Sequence, residues 1–198
     1  MPVRLASVVI GGSADVWAAL GFTVDAAGRI AFSNGAIELE AGLVGAGALR
    51  VDGIAALPAD VDGVALRVGP PAHAVDHANG CFELDHVVIV TPSIDRTSSA
   101  ITEVLGLPQR RVRQTETVTQ AFHRFDERGC IIELVESASA ERPALWGLVV
   151  TTTDLDSFVE RAGPALVGAP KPAVQPGRRI ATVRGSAGLA LPVAVMSV

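Results

Sequence analysis

The stretch Leu84-Asp85-His86-Val87-Val88-Ile89-Val90 decides how this chain folds, together with Gly129-Cys130-Ile131-Ile132-Glu133-Leu134-Val135-Glu136. Each is an apolar, β-branched run with the length of a buried strand. His86 lies in the first run and Glu133 in the second. Burying a titratable side chain is costly unless it is paired, hydrogen-bonded or bound to a metal. The two runs therefore predict a metal or acid–base site or, alternatively, a hydrogen-bonded core histidine and a strand-edge glutamate.

Composition indicates a globular chain with ample material for a core. The 198 residues are 49% hydrophobic, and the mean hydropathy is +0.41. No apolar run approaches the roughly 18 residues that a membrane span needs, so no membrane partner is expected. Only two cysteines are present, Cys81 and Cys130, which is typical of a protein of the reducing cytoplasm.

The charge pattern argues against a nucleic-acid partner. The net charge is −5, aromatic residues make up 4% of the chain, and there is no tyrosine. A nucleic-acid binder usually combines a basic face with stacking aromatic side chains. The one short basic run, Arg110, Arg111 and Arg113, predicts a solvated strand edge rather than a phosphate site.

The chain contains an internal repeat. Leu84 and Leu145 each open an apolar run that ends in Thr, Ser and Asp residues, and the two runs are 61 positions apart. Such endings are good helix N-caps, so they predict helices over 96–105 and 157–166. Strand-like segments follow each helix, and both copies read β-α-β-β-β. The predicted fold class is α+β, with repeated βαβββ modules at 84–136 and 145–197.

The N-terminal part reads as a degenerate form of the same unit over residues 1–75. It offers a strand at 4–10, a short helix at 14–20 and strands at 22–25, 29–33 and 36–40. Residues 76–83 form the connector to the paired modules at 84–198. His73 and His77, which have helical spacing near this connector, are predicted to be solvated rather than metal-bound.

The repeated βαβββ units, the opening Leu84-Asp85-His86-Val87-Val88 and the closing Ile132-Glu133-Leu134-Val135-Glu136 resemble the vicinal oxygen chelate superfamily. This superfamily includes glyoxalase I, methylmalonyl-CoA epimerase, extradiol dioxygenases and the bleomycin-resistance proteins, and the chain is most similar to its glyoxalase-like domain proteins. The resemblance implies curved mixed sheets, with helices outside, that form a cup.

The resemblance also implies a site. Metal ligands in this superfamily come from the His position of a first strand and the Glu position of a last strand, which here are His86 and Glu133. Glu38 occupies the Glu position of the N-terminal copy, where Ser7 replaces the histidine. The implied metal ligands are thus His86, Glu133 and Glu38, with Glu133 and Glu38 as catalytic carboxylates. The implied cofactor is one divalent metal (Zn, Fe, Ni or Mn), or none.

The copy at 145–197 departs from this pattern of ligand positions. Gly147 falls at its His position and Pro192 near its Glu position, so this copy offers no ligand. His123 and Arg124, on a strand rich in aromatic residues, and Trp146 are candidates for substrate binding. His123 could equally be a strand residue at a sheet margin, and Trp17 is predicted to be core.

Three functions follow. The first is a lyase or isomerase acting on a small vicinal-oxygen substrate through a metal held by His86 and Glu133. The second is a metal-free protein of the same fold that binds or sequesters a small molecule. The third is an interaction role in which the N-terminal half supports a homodimer.

Overall fold

A computed structural model describes residues 2–54 and 56–198. Within them, the structure contains two mixed sheets and three α-helices, which confirms the α+β prediction. The strands are β1 Arg4–Ile10, β2 Arg29–Phe32, β3 Gly35–Leu39, β4 Ala46–Asp52, β5 Asp60–Val61, β6 Val64–Val68, β7 Cys81–Thr91, β8 Arg111–Gln114, β9 Thr119–Arg124, β10 Ile131–Glu136, β11 Ala144–Thr152, β12 Lys171–Pro172, β13 Arg179–Thr182 and β14 Val193–Ser197. The α-helices are α1 Ala14–Ala19, α2 Ile94–Leu105 and α3 Leu155–Ala162, and Gly185–Ala187 form a 3-10 helix.

The eight-stranded sheet consists of the two repeated modules side by side. Its strand order is β12-β13-β14-β11-β7-β10-β9-β8. In each module the first and last strands are parallel neighbours, β7 with β10 and β11 with β14. The two first strands, β7 and β11, pair antiparallel at the centre. The modules at 84–136 and 145–197 therefore meet along their opening strands.

The six-stranded sheet repeats this plan with fewer elements. Its order is β2-β3-β1-β4-β6-β5, where β1 is parallel to β3, β4 is parallel to β6, and β1 and β4 are antiparallel. Among the residues that the structure describes in this sheet's two units, a helix, α1, is present in the first unit and not in the second. The prediction of a strand at 22–25 is wrong. The Phe22 side chain packs into the core against Trp17, and the Asp25 side chain starts a turn by accepting hydrogen bonds from two backbone N–H groups.

The helices follow from their caps and their apolar faces. Ser93 and Asp154 accept hydrogen bonds from backbone N–H groups of α2 and α3, as the sequence predicts for N-caps. The helix predicted over 157–166 ends at Ala162, because Gly163 adopts a positive φ and Pro164 cannot continue the helix. Among the described residues, no helix has the length and apolar character needed to cross a membrane.

One hydrophobic core joins the two sheets. Trp17 of α1, Ile101 of α2 and Phe158 of α3 all belong to it, and each is fully buried. Asn34, in the turn between β2 and β3, adds a polar link to β7. Its side chain donates to the Leu84 carbonyl and accepts from the Leu84 N–H, both at 2.9 Å. The common core and this link tie the first module to the six-stranded sheet.

His77 is buried, so the prediction that it is solvated is wrong, whereas His73 is exposed. The His77 ring packs edge-on against Phe22 and Phe32, and its Nδ1 accepts a hydrogen bond from the Thr23 N–H at 3.0 Å. Nδ1 must therefore be unprotonated. Burial lowers the pKa of His77, opposed by a backbone contact with Ala31 and by the charge of Asp76.

Acidification is expected to weaken the fold through His77. Its pKa is lowered in the folded state, so the unfolded chain binds more protons as the pH falls through about 6.5, and the free energy of unfolding falls with it. The measurement is urea unfolding at pH 8 and pH 5.5 for wild type, His77→Asn and the exposed control His73→Asn. We expect a smaller acid loss in His77→Asn than in wild type. An equal loss in all three proteins would contradict the assignment.

Candidate functional site

A β-bulge in β7 aims two polar side chains at the same place. Leu84 pairs with Val150 and His86 pairs with Val149, so Asp85 and His86 together oppose one residue of β11. A bulge re-aims side chains that would otherwise alternate between the two faces. Asp85 and His86 thereby lie on the face opposite the helices, which we call the site face of the eight-stranded sheet.

Glu133 reaches the same point from β10. It pairs with Val88 of the parallel strand β7, two residues beyond His86. Its Oε2 lies 3.2 Å from Nε2 of His86, and the two side chains are 12% and 15% exposed. The structure therefore brings together the two residues that the sequence analysis placed first.

Both ends of this pair are held by further side chains. Asp85 Oδ2 lies 2.7 Å from Nδ1 of His86, and Arg178 Nη1 donates to Asp85 Oδ1 at 2.7 Å. On the other side Gln120 Nε2 donates to Oε1 of Glu133. Arg113 in turn donates to Gln120 Oε1 at 2.8 Å. A continuous polar chain thus crosses the site face, in the order Arg113, Gln120, Glu133, His86, Asp85 and Arg178.

Three members of this polar chain are not among the site residues predicted from the sequence: Asp85, Gln120 and Arg178. A signal for Asp85 was present, because the core residues Leu84 and Val87 are three apart and so break the period of two at that point. Arg178 is 93 positions from Asp85 and gave no such signal.

Two neighbouring carboxyl groups, those of Asp85 and Glu83, have pKa values shifted in opposite directions. Burial by itself raises the pKa of Asp85, but the hydrogen bonds and charges of His86 and Arg178 outweigh it, so the pKa is lowered and the carboxylate is ionised. The neighbouring Glu83 behaves in the opposite way: burial, aided by the charge of Asp85, raises its pKa. Cys130 is fully buried and burial raises its pKa, so its thiol is poorly suited to act as a nucleophile.

Glu38 lies in the other sheet. Its register partner in β1 is Val9, and Ser7 lies two residues before, so Ser7 and Glu38 do occupy the positions of His86 and Glu133. There Glu38 forms ion pairs with Arg50 at 2.8 Å and Arg29 at 3.6 Å. The structure does not bring it to the His86–Glu133 pair. Across residues 2–54 and 56–198, no three His, Cys, Asp or Glu side chains are grouped so as to hold a metal ion.

The three candidate substrate-binding residues are placed differently from one another. His123 pairs with Ile132 on the helix face, where it is fully buried and its Nδ1 contacts the Leu107 carbonyl at 2.8 Å. Arg124 alternates with His123 and lies on the site side of β9, exposed. Trp146 lies in a bulge of β11 and is 54% exposed. The structure therefore leaves Arg124 and Trp146 accessible and turns His123 away.

The second module carries a matching bulge but different residues. Gly147 pairs with Val88 through this bulge, and it is 61 positions from His86. Ala194 pairs with Val149 as Glu133 pairs with Val88, so Ala194 holds the Glu position and the assignment of Pro192 was off by two residues. Together with Val149 and Met196, Ala194 forms a small apolar cluster separate from the main core.

Comparison with solved structures identifies the fold. The chain is similar to methylmalonyl-CoA epimerase from Mycobacterium tuberculosis, with 14% identity and a TM-score of 0.52 over 61% of this chain and 90% of that chain. It is also similar to a second methylmalonyl-CoA epimerase, with 15% identity and a TM-score of 0.50 over 59% of this chain and 95% of that chain.

No protein-family profile matches the chain, and no curated protein matches it in sequence. The structural likeness shows that the chain has the fold of these epimerases, which is the glyoxalase-like fold of βαβββ modules that the sequence resemblance implied.

Proposed function

We propose that the chain is a small-molecule isomerase in which His86 and Glu133 hold a divalent metal on the site face of the eight-stranded sheet. Its substrate would carry two adjacent oxygen atoms. The observation that carries this proposal is the 3.2 Å contact between Nε2 of His86 and Oε2 of Glu133. The reaction class is that of the epimerases with the same fold, which are isomerases by name.

The contact between Nε2 of His86 and Oε2 of Glu133 requires a proton or a metal cation between these two atoms. Because Asp85 is ionised, the Nδ1–H of His86 donates to it, and neutral His86 then presents a lone pair at Nε2. An ionised Glu133 also presents only lone pairs. Two acceptors 3.2 Å apart repel unless a proton or a metal cation lies between them.

The donor set suits a metal. An imidazole nitrogen and a carboxylate oxygen are ligands that Zn, Fe, Ni and Mn accept. Asp85 behind His86 and Gln120 behind Glu133 are the kind of supporting hydrogen bonds that orient metal ligands. The second module contributes Gly147 and Ala194, which cannot ligate. Two protein ligands are fewer than the three of most catalytic zinc sites, so more positions are left for substrate and water.

Each side chain then has a definite task. A divalent metal would polarise the two adjacent oxygens of the substrate. Glu133 can also accept and return the transferred proton through Oε1, the oxygen that Gln120 Nε2 contacts, while Oε2 faces Nε2 of His86. The apolar cluster of Val149, Ala194 and Met196 lies beside this point and suits the apolar part of a ligand. Arg124 and Trp146 are proposed to contact its outer end.

A metal-free binding protein is the second candidate, favoured by the loss of both ligands in the second module. In that case a proton occupies the position between Nε2 and Oε2, and the pair is an ion pair rather than a metal site. Zinc binding separates the two candidates, because only the first requires it.

The test is metal analysis of untagged protein purified without chelators, followed by zinc titration. We expect about one equivalent of bound metal per chain in wild type, with the zinc Kd raised at least about 100-fold by Glu133→Gln and by His86→Gln. Glu38→Gln is the matched control, since Glu38 holds the same register position in the other sheet, and it should bind like wild type. Absence of metal in wild type would favour the binding protein, and loss of zinc in Glu38→Gln would show that Glu38 is a ligand after all.

A further inference from the structure

The second module contributes a different kind of residue to the site. Arg178 lies just before β13, and its side chain crosses β14 and β11 to reach β7. Along this path Nε donates to the Ser197 carbonyl at 2.6 Å and Nη2 donates to Thr151 Oγ1 at 3.3 Å, before Nη1 meets Asp85. The guanidinium is therefore held at three points, of which the Ser197 carbonyl and the Thr151 hydroxyl belong to its own module.

This fixed guanidinium determines which oxygen of Asp85 faces His86. Nη1 occupies Oδ1 at 2.7 Å and leaves Oδ2 to the histidine. The Asp85 side chain is only 7% exposed, so without Arg178 it would be a buried carboxylate whose one polar partner among the described residues is His86. A carboxylate in that state turns toward water. That turn would leave the Nδ1–H of His86 without its acceptor.

We propose that Arg178 is a positioning residue for the His86–Glu133 pair: it fixes Asp85, Asp85 keeps the proton of His86 on Nδ1, and Nε2 is thereby left to bind the metal. The proposal rests on the proposed function for its last step only. The second module has Gly147 and Ala194 at its two ligand positions. Through Arg178 it instead orients His86, a ligand supplied by the first module.

A neighbouring residue provides a close control. Arg179 also forms a two-point ion pair, with Asp156 at 2.6 and 3.0 Å, but this pair lies on the exposed surface at α3. Arg179→Gln removes the same charge from the next position in the chain without touching Asp85. A role that is only electrostatic or local to this segment would affect both variants alike.

The experiment compares wild type, Arg178→Gln and Arg179→Gln by two measurements. The first is the ¹⁵N signal of the His86 imidazole at pH 8 in metal-free protein, assigned by its loss in His86→Gln, which reports on the Nδ1 proton. The second is the Kd for zinc. We expect Nδ1 to be fully protonated in wild type and Arg179→Gln, and only partly protonated in Arg178→Gln. Zinc should bind about 10- to 100-fold more weakly to Arg178→Gln and within about twofold of wild type to Arg179→Gln.

Wild-type Nδ1 protonation in Arg178→Gln, with zinc affinity within about twofold, would overturn the proposal. If Arg178→Gln fails to fold, Arg178→Lys, which keeps the charge but not the fork of donors, should show a smaller shift in the same direction. Failure of both variants to fold would make Arg178 a structural brace and also overturn the proposal. If wild type binds no zinc, the metal function fails, and the imidazole signal alone still decides whether Arg178 positions His86.

Discussion

Replacing Gly129 with alanine is expected to cost roughly 3 kcal/mol of folding free energy and to weaken the site. Gly129 closes the turn between β9 and β10, where the Phe125 N–H donates to the Cys130 carbonyl at 3.1 Å. A Cβ on Gly129 would lie 1.8 Å from the Phe125 carbonyl oxygen and 2.9 Å from the Phe125 Cβ. Backbone atoms cannot yield as the end of a flexible side chain can, so the turn itself must move.

Movement of this turn would reach Glu133. The turn sets the register of β9 against β10, in which Glu133 pairs with Phe122 and accepts from Gln120. We therefore expect Gly129→Ala to lower both the urea midpoint and the zinc affinity. Gly185→Ala is the control, because a Cβ there meets nothing within 4 Å and the backbone is not left-handed. It should change stability by no more than about 0.5 kcal/mol. Equal stability of the two variants would show that the turn is not as tight as described.

The parts of the fold that the sequence predicted are those set by local pattern. The runs around His86 and Glu133 are long and apolar, so the sequence predicts that both are buried strands, and the structure pairs them as parallel neighbours. The 61-residue repeat carries through even to the bulges, which contain His86 in one module and Gly147 in the other. The same offset of 61 positions leads from Glu133 to Ala194, so placing the Glu position near Pro192 fell two residues short of what the repeat indicates.

The parts that the sequence did not predict depend on contacts distant along the chain. Arg178 reaches Asp85 only because the segment before β13 folds its side chain back over two strands. His123 could have faced either side of its strand, and only the pairing of β9 with β10 decides that it points to the helices. Glu38 matches Glu133 in register, yet it belongs to a separate sheet where two arginines satisfy it. The sequence pattern therefore predicts the strand position of each residue, but it does not predict which side chains that residue contacts in the fold.

The second large effect concerns how the two sheets unfold. Phe158 of α3 is fully buried in the core that also contains Trp17 of α1, and Phe158→Ala should cost about 3–5 kcal/mol. Because one continuous apolar cluster joins both halves, we expect this loss to appear in the N-terminal half as well as in the C-terminal half. Phe158→Leu, which keeps most of the apolar volume, should cost much less.

The two tryptophans allow this to be measured, since Trp17 lies in the N-terminal half and Trp146 in the C-terminal half. In a Trp146→Phe background only Trp17 fluoresces, and Phe158→Ala should lower the urea midpoint of its signal as much as that of far-UV circular dichroism. Coincident transitions are the mark of a single cooperative unit. A Trp17 midpoint that stays unchanged while the circular dichroism splits into two steps would show two independent domains. The site face would then depend on residues 84–198 alone, and the N-terminal sheet would be free to serve another purpose.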